Sequence, residues 1–214
     1  MTKGNPYKHR YKHGKLKKAI DLKVFKRMME EAEQIKRGSY SILFIQSLLA
    51  ILYWSGLRKS EIVGAISHKY ETEKGIRETL AVPGIRREDV WVKDDFLCIK
   101  AVARKHGKRE APLMVPRSLA YVDLIERQWQ EAKPKHRVWP VSEVQAWRLV
   151  KRLAPNLYLH FFRFNRITKF ANNPKMSLAQ ICSWTGLSPQ TVDSYLERSG
   201  RFTKEVGAMM TEET

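Results

Sequence analysis

The residues of this chain whose types and spacing could do chemistry fall in four short segments. In Ser55-Gly56-Leu57-Arg58-Lys59-Ser60-Glu61-Ile62 an arginine follows a glycine turn, and a glutamate comes three residues later. On a helix those two share a face, so Glu61 can orient the Arg58 guanidinium. Taken alone, the pair reads as an ordinary surface ion pair. Arg104-Lys105-His106-Gly107-Lys108-Arg109 reads as a hairpin tip between two apolar strands, from which a lysine could reach into a bound substrate; lysine-rich turns are usually just solvated. His160-Phe161-Phe162-Arg163 spaces two polar residues at i and i+3 among aromatic ones. A histidine and an arginine buried on one face need an anionic partner to offset their desolvation, and phosphate is the natural one. The fourth segment, Thr191-Val192-Asp193-Ser194-Tyr195-Leu196, puts a tyrosine near the end of the last regular helix.

The elements that must position these residues are mostly helices. From Asp21 onward Leu22, Phe25, Met28, Met29 and Ala32 recur at helical spacing, and a core helix runs from Ser41 to Trp54 up to the Ser55-Gly56 turn. A short helix from about Arg58 to Ala65 follows. Residues 86–116 change character: Val90, Val92, Phe96, Leu97, Ile99 and Val102, with turns at Lys93-Asp94-Asp95 and Lys105-His106-Gly107-Lys108, predict a small three-stranded antiparallel sheet. Helices return through Leu119–Glu131, Glu143–Leu153, Phe161–Asn172, Ser177–Ser183 and Pro189–Glu197. The fold class is therefore α+β, mostly helical, with one small sheet and no internal repeat.

Composition narrows the partner. Forty Lys and Arg against 22 Asp and Glu give a formal charge of +18, the sign that attracts phosphate polymers. Double-stranded DNA or another nucleic acid is the expected partner. The apolar run Ser41–Trp54 contains Gln46 and is shorter than the roughly 20 residues that span a bilayer. No lipidation motif is found and the charged N-terminus does not suit an export signal, so a cytoplasmic location without membrane attachment is expected. Cys98 and Cys182 are expected as buried, reduced thiols, and the histidines do not combine with them at metal-ligand spacing. Residues 1–20 read as a disordered basic arm in which Lys8, Arg10, Lys12, Lys15, Lys17 and Lys18 would order on DNA phosphates, joined by Lys108 and Arg109. A purely solubilising tail is the competing account of that arm.

Taken in order, G-L-R-x-S-E, a strand pair with a turn lysine, H-x-x-R, and a tyrosine 35 residues after the histidine form one pattern. Over roughly residues 21–196 it resembles the catalytic domain of the tyrosine recombinases, or phage integrases. The resemblance implies catalytic roles for Arg58, His160, Arg163 and the nucleophile Tyr195, with Glu61 as the supporting acidic residue. It also implies a general acid at Lys105, in the turn before Ala111-Pro112-Leu113, with Lys108 close enough to leave the choice open. Relatives commonly place His or Trp nine residues before the tyrosine. Here that residue is Gly186, with Trp184 two places earlier, so either Trp184 fills the gap or one phosphate contact is missing.

The chemistry implied is strand cleavage and rejoining. The two arginines would stabilise charge on the non-bridging oxygens. Lys105 would protonate the departing 5′ oxygen, and His160 would help manage the phenol proton. A phenol of pKa about 10 needs such a cationic neighbourhood to act as a nucleophile. The bond energy would be kept in a 3′-phosphotyrosine link, so no metal, ATP or other cofactor is implied. Self-association on DNA as a dimer or tetramer is expected, with residues 198–214 docking on a neighbouring subunit or folding back on their own domain. The small size fits an enzyme of a mobile genetic element. The alternative is a non-catalytic regulator in which residues 178–196 form a helix-turn-helix, with Cys182, Gly186 and Val192 at its small, turn and core positions. A metal-dependent nuclease is disfavoured, since Asp94/Asp95 and Glu212/Glu213 read as solvated surface.

Overall fold

The computed structural model describes residues 20–35, 40–73, 75–103, 107–108, 111–155 and 157–199. The basic arm with Lys8, Arg10, Lys12, Lys15, Lys17 and Lys18, the turn residue Lys105, Arg109, and residues 200–214 lie outside them.

Helix α1 spans Leu22–Gln34 and α2 spans Ile42–Ser55. Each starts where a side-chain oxygen accepts an otherwise orphan backbone N–H: Asp21 Oδ1 from Val24 at 2.7 Å, and Ser41 Oγ from Phe44 at 3.1 Å. On α1 only Phe25, Met28, Met29 and Ala32 are buried, the stripe that their spacing requires. Helix α2 is apolar all round and is the centre of the core. Its buried Gln46 is satisfied by the Met29 carbonyl (3.1 Å) and by Glu33 (3.2 Å), and buried Ser47 accepts from the Trp139 indole (3.0 Å).

Helices α3 (Lys59–Val63), α4 (Val122–Glu131), α5 (Glu143–Leu153), α6 (Leu159–Ala171), α7 (Leu178–Thr185) and α8 (Pro189–Ser199) complete the helical part; α1, α3, α4 and α6 pack directly on α2. Helix α4 begins three residues later than its pattern suggests, because Tyr121 takes a left-handed conformation (φ 66°). Ile20, grouped by sequence with the basic arm, is instead a core residue, 1% exposed, and its carbonyl accepts from Asn165 at 2.7 Å.

Strands β3 (Val90–Lys93), β4 (Phe96–Ile99) and β7 (Leu113–Pro116) form the expected three-stranded antiparallel sheet in the order β3-β4-β7. Val90, Leu97, Ile99, Leu113 and Val115 are its buried residues, with Cys98. Two further hairpins are present; the turn of the second is predicted from the sequence, and the first is not. β1 (His68–Thr72) and β2 (Gly75–Thr79) form a two-stranded antiparallel sheet, and β5 (Val102–Ala103) and β6 (Gly107–Lys108) form a small ribbon between β4 and β7. The β1–β2 hairpin leaves the body through a narrow neck in which Ala65 and Val82 exchange both backbone hydrogen bonds at 2.9 Å. Beneath them a Cβ on Gly84 would sit 2.6 Å from the Gly64 nitrogen, so the two chain segments touch backbone to backbone. Among the described residues no helix is long and apolar enough to cross a membrane.

Candidate active site

Arg58 is delivered by the turn that ends α2. Gly56 adopts a left-handed conformation (φ 64°), the chain reverses, and Arg58 becomes the N-cap of α3. Glu61, in the first turn of α3, then accepts twice from the same residue: its Oε2 from the Arg58 backbone N–H at 2.9 Å and its Oε1 from Arg58 Nη1 at 2.7 Å. The pair is not a surface one. The Glu61 side chain is 0% exposed and that of Arg58 is 18% exposed.

The second arginine arrives from far along the chain. Arg163, on α6, is 2% exposed and lies with Nη1 4.0 Å from Glu61 Oε2. Its guanidinium donates to the Gly56 carbonyl at 2.7 Å and to the Thr185 carbonyl at 2.8 Å. One buried carboxylate therefore stands between two arginines that the sequence separates widely, and Arg163 is also tied to the turn that carries Arg58. His160 is exposed, contrary to the expectation that it is buried beside Arg163. It sits in the first turn of α6, where the helix end meets solvent.

Tyr195 lies on α8, half-buried, its ring 5.5 Å from that of Phe164 on α6. Gly186 is the left-handed C-cap of α7 (φ 62°), and its N–H donates to the Cys182 carbonyl at 2.8 Å. Trp184 donates its indole N–H to the Ser55 carbonyl at 2.9 Å and sets its ring edge-on to Phe170. Helix α7, the turn at Gly186 and α8 with buried Val192 also match the local shape of a helix-turn-helix. Cys182 is half-buried, not buried like Cys98, because the inward positions of α7 are Ile181 and Thr185. Burial, and next the neighbouring Asp193 charge, push its thiol pKa above the ordinary value.

The lysine hairpin is present as the β5–β6 ribbon, but its strands are two residues each, and Lys108 stands on β6 and not in the turn. Where the chain returns to β7, Ala111 and Pro112 line a shallow groove whose other wall is Lys175, Met176, Gln180, Ser183 and Trp184. The ribbon thus rejoins the body beside α7.

One arginine escaped the sequence reading. Arg166, three residues after Arg163, is 9% exposed and donates through Nε (3.1 Å) and Nη2 (2.9 Å) to the Tyr53 carbonyl. Its guanidinium lies 4.7 Å from the centre of the Trp54 ring, 5.2 Å from Tyr53 and 5.6 Å from Phe170. Burial pulls its pKa down to about 10, with Tyr53 opposing the shift. The signal available was its i+3 spacing from Arg163 within an aromatic helix.

No family profile and no curated protein matches the sequence. Solved structures do share the fold. The XerH site-specific recombinase bound to palindromic difH substrate, a post-cleavage complex, superposes with a TM-score of 0.62 at 13% identity, covering 92% of this chain and 54% of that one. The pre-cleavage complex of XerH with difH substrate gives 0.59 at 14% identity, covering 86% and 51%. The XerA recombinase gives 0.55 at 13% identity, covering 91% and 66%. The chain spans about half the length of the XerH chains it matches. Its fold is that of a tyrosine-recombinase-like catalytic domain, mostly helical with a small three-stranded antiparallel sheet.

Proposed function

We propose that the chain is a site-specific DNA strand transferase of the tyrosine recombinase type. The observation that carries this reading is the buried Arg58–Glu61–Arg163 group, two cations held by one carboxylate at the base of α3. Arg58, the more exposed of the two arginines, is the group that a phosphate reaches first. Arg163 adds positive charge from a low-dielectric position, where it acts more strongly than in water.

In the proposed reaction the Tyr195 phenol oxygen attacks the phosphorus, the P–O5′ bond breaks, and a 3′-phosphotyrosine forms. The phenol proton leaves with the help of His160, whose exposure suits proton exchange with solvent. A proton from Lys105 or Lys108 goes to the departing 5′ oxygen. Attack by a 5′ hydroxyl of another duplex reverses these steps and joins the strands. No metal or ATP enters the scheme. Double-stranded DNA is the proposed substrate, with assembly of subunits on it and an origin in a mobile element as further parts of the reading.

A second reading, a non-catalytic helix-turn-helix regulator, is favoured by α7, the Gly186 turn and α8. It assigns no task to the buried arginine pair, and it needs Tyr195 as a base contact although that ring packs on Phe164. The test is incubation with nicked suicide duplexes carrying candidate sites, read on a denaturing gel for wild type and Tyr195→Phe. A covalent adduct that vanishes in Tyr195→Phe is expected. Tight, sequence-specific binding with no adduct on any site would favour the regulator.

A further inference from the structure

The last carbonyls of a helix have no partner within it and must find donors elsewhere. At the end of α2 those donors come from α6 and α7: Arg166 caps the Tyr53 carbonyl with two N–H groups, Trp184 caps Ser55 and Arg163 caps Gly56. Arg166 also fills the space beside the turn. A Cβ on Gly56 would lie 2.9 Å from Arg166 Cγ and 3.1 Å from its Cβ, so the aliphatic stem of Arg166 lies against the residue whose left-handed conformation turns the chain toward Arg58.

We infer that Arg166 is a positioning residue, which fixes the α2 terminal turn and through it the place of Arg58. The inference rests on the proposed reading that Arg58 holds the phosphate under attack. A buried cation is an expensive way to fill an aromatic pocket, since an apolar side chain of similar volume often stabilises as well or better. The lowered pKa of Arg166 reflects that cost. What an apolar residue cannot supply is the pair of N–H donors on the Tyr53 carbonyl, and those bonds act on geometry. The guanidinium lies among the rings of Trp54, Tyr53 and Phe170, and Lys169 donates to Tyr53 Oη at 3.0 Å, so the arrangement has little room to shift.

The experiment compares wild type, Arg166→Met and Arg166→Lys. Three readouts are taken: the single-turnover rate of adduct formation at saturating nicked duplex, the Kd for that duplex, and amide hydrogen exchange of residues 55–61 in the free protein. Met fills the volume and packs on the rings but donates nothing. We expect Arg166→Met to fold and to bind duplex within about threefold of wild type, while its adduct rate falls by about tenfold to a hundredfold and exchange over 55–61 quickens. Arg166→Lys, which keeps the charge and one donor, recovers part of the rate. A folded Arg166→Met with the wild-type rate overturns the inference. If Arg166→Met does not fold, Arg166→Lys decides: a slower rate at unchanged Kd supports it, and the wild-type rate overturns it. No adduct from wild type would instead sink the strand-transfer reading, and this inference with it, so the two failures are distinct.

Discussion

Glu61 carries its charge at a place with no side-chain exposure, between one arginine that is 18% exposed and another that is 2% exposed. Removing one partner of such a group leaves the others desolvated without compensation. Glu61→Gln is therefore expected to destabilise the fold by about 3 kcal/mol, measured by urea unfolding with an unchanged m-value. A loss no larger than that of an exposed ion pair would contradict the burial. Cys182 offers a test by pH. A thiol with a raised folded-state pKa contributes stability in full below its ordinary pKa and loses it as pH rises from there through the raised folded value, because the fold disfavours the thiolate. At pH 8 Cys182 should alkylate more slowly than a free thiol, and Asp193→Asn, which removes the second cause of the shift, should speed it and lower the midpoint of the pH–rate profile. Peptide mapping by mass spectrometry separates it from buried Cys98. At this scale the sequence paired residues more readily than it placed them. Arg58 and Glu61 were legible as a pair through their spacing, but not as a buried one. Arg166 was invisible because an arginine inside a helix ordinarily faces water, and only the packing of α6 on α2 turns it inward.

The helices were legible because burial imposes a period and caps impose an end: Asp21, Ser41, Ser142 and Ser177 each accept a backbone N–H at the start of a helix. The sheet was legible from its apolar strands and the Asp94-Asp95 turn. The β1–β2 hairpin was not, because HKYETEKGIRET has almost no apolar residue to alternate, and what apolar surface it offers is exposed, with Ile66, Ile76 and Leu80 between 61% and 85% accessible. Its pairing is held by the neck below it. Since Ala65 and Val82 already form the doubly hydrogen-bonded pair that a two-residue hairpin requires, replacing residues 66–81 by Asn-Gly should close the chain without disturbing the body. We expect the thermal midpoint of that variant to stay within about 5 °C of the full chain. A loss of cooperative unfolding would show that the hairpin is part of the core.

Across the whole molecule the charge of +18 is the dominant property that composition alone reveals. Binding to duplex DNA should weaken steeply with salt. If six or more phosphates are neutralised, affinity should fall by about a thousandfold between 50 and 200 mM, measured by fluorescence anisotropy. A flat response would remove DNA phosphates as the main contact.

The hydrogen bonds that cap α2 join residues 107, 113 and 129 positions apart. During synthesis, α2 and the turn bearing Arg58 leave the ribosome long before Arg163, Arg166 and Trp184 exist. On the proposed reading, a partly made chain already has basic charge enough to cling to DNA, yet it lacks the means to cut it until the last third of the molecule has folded back onto the first.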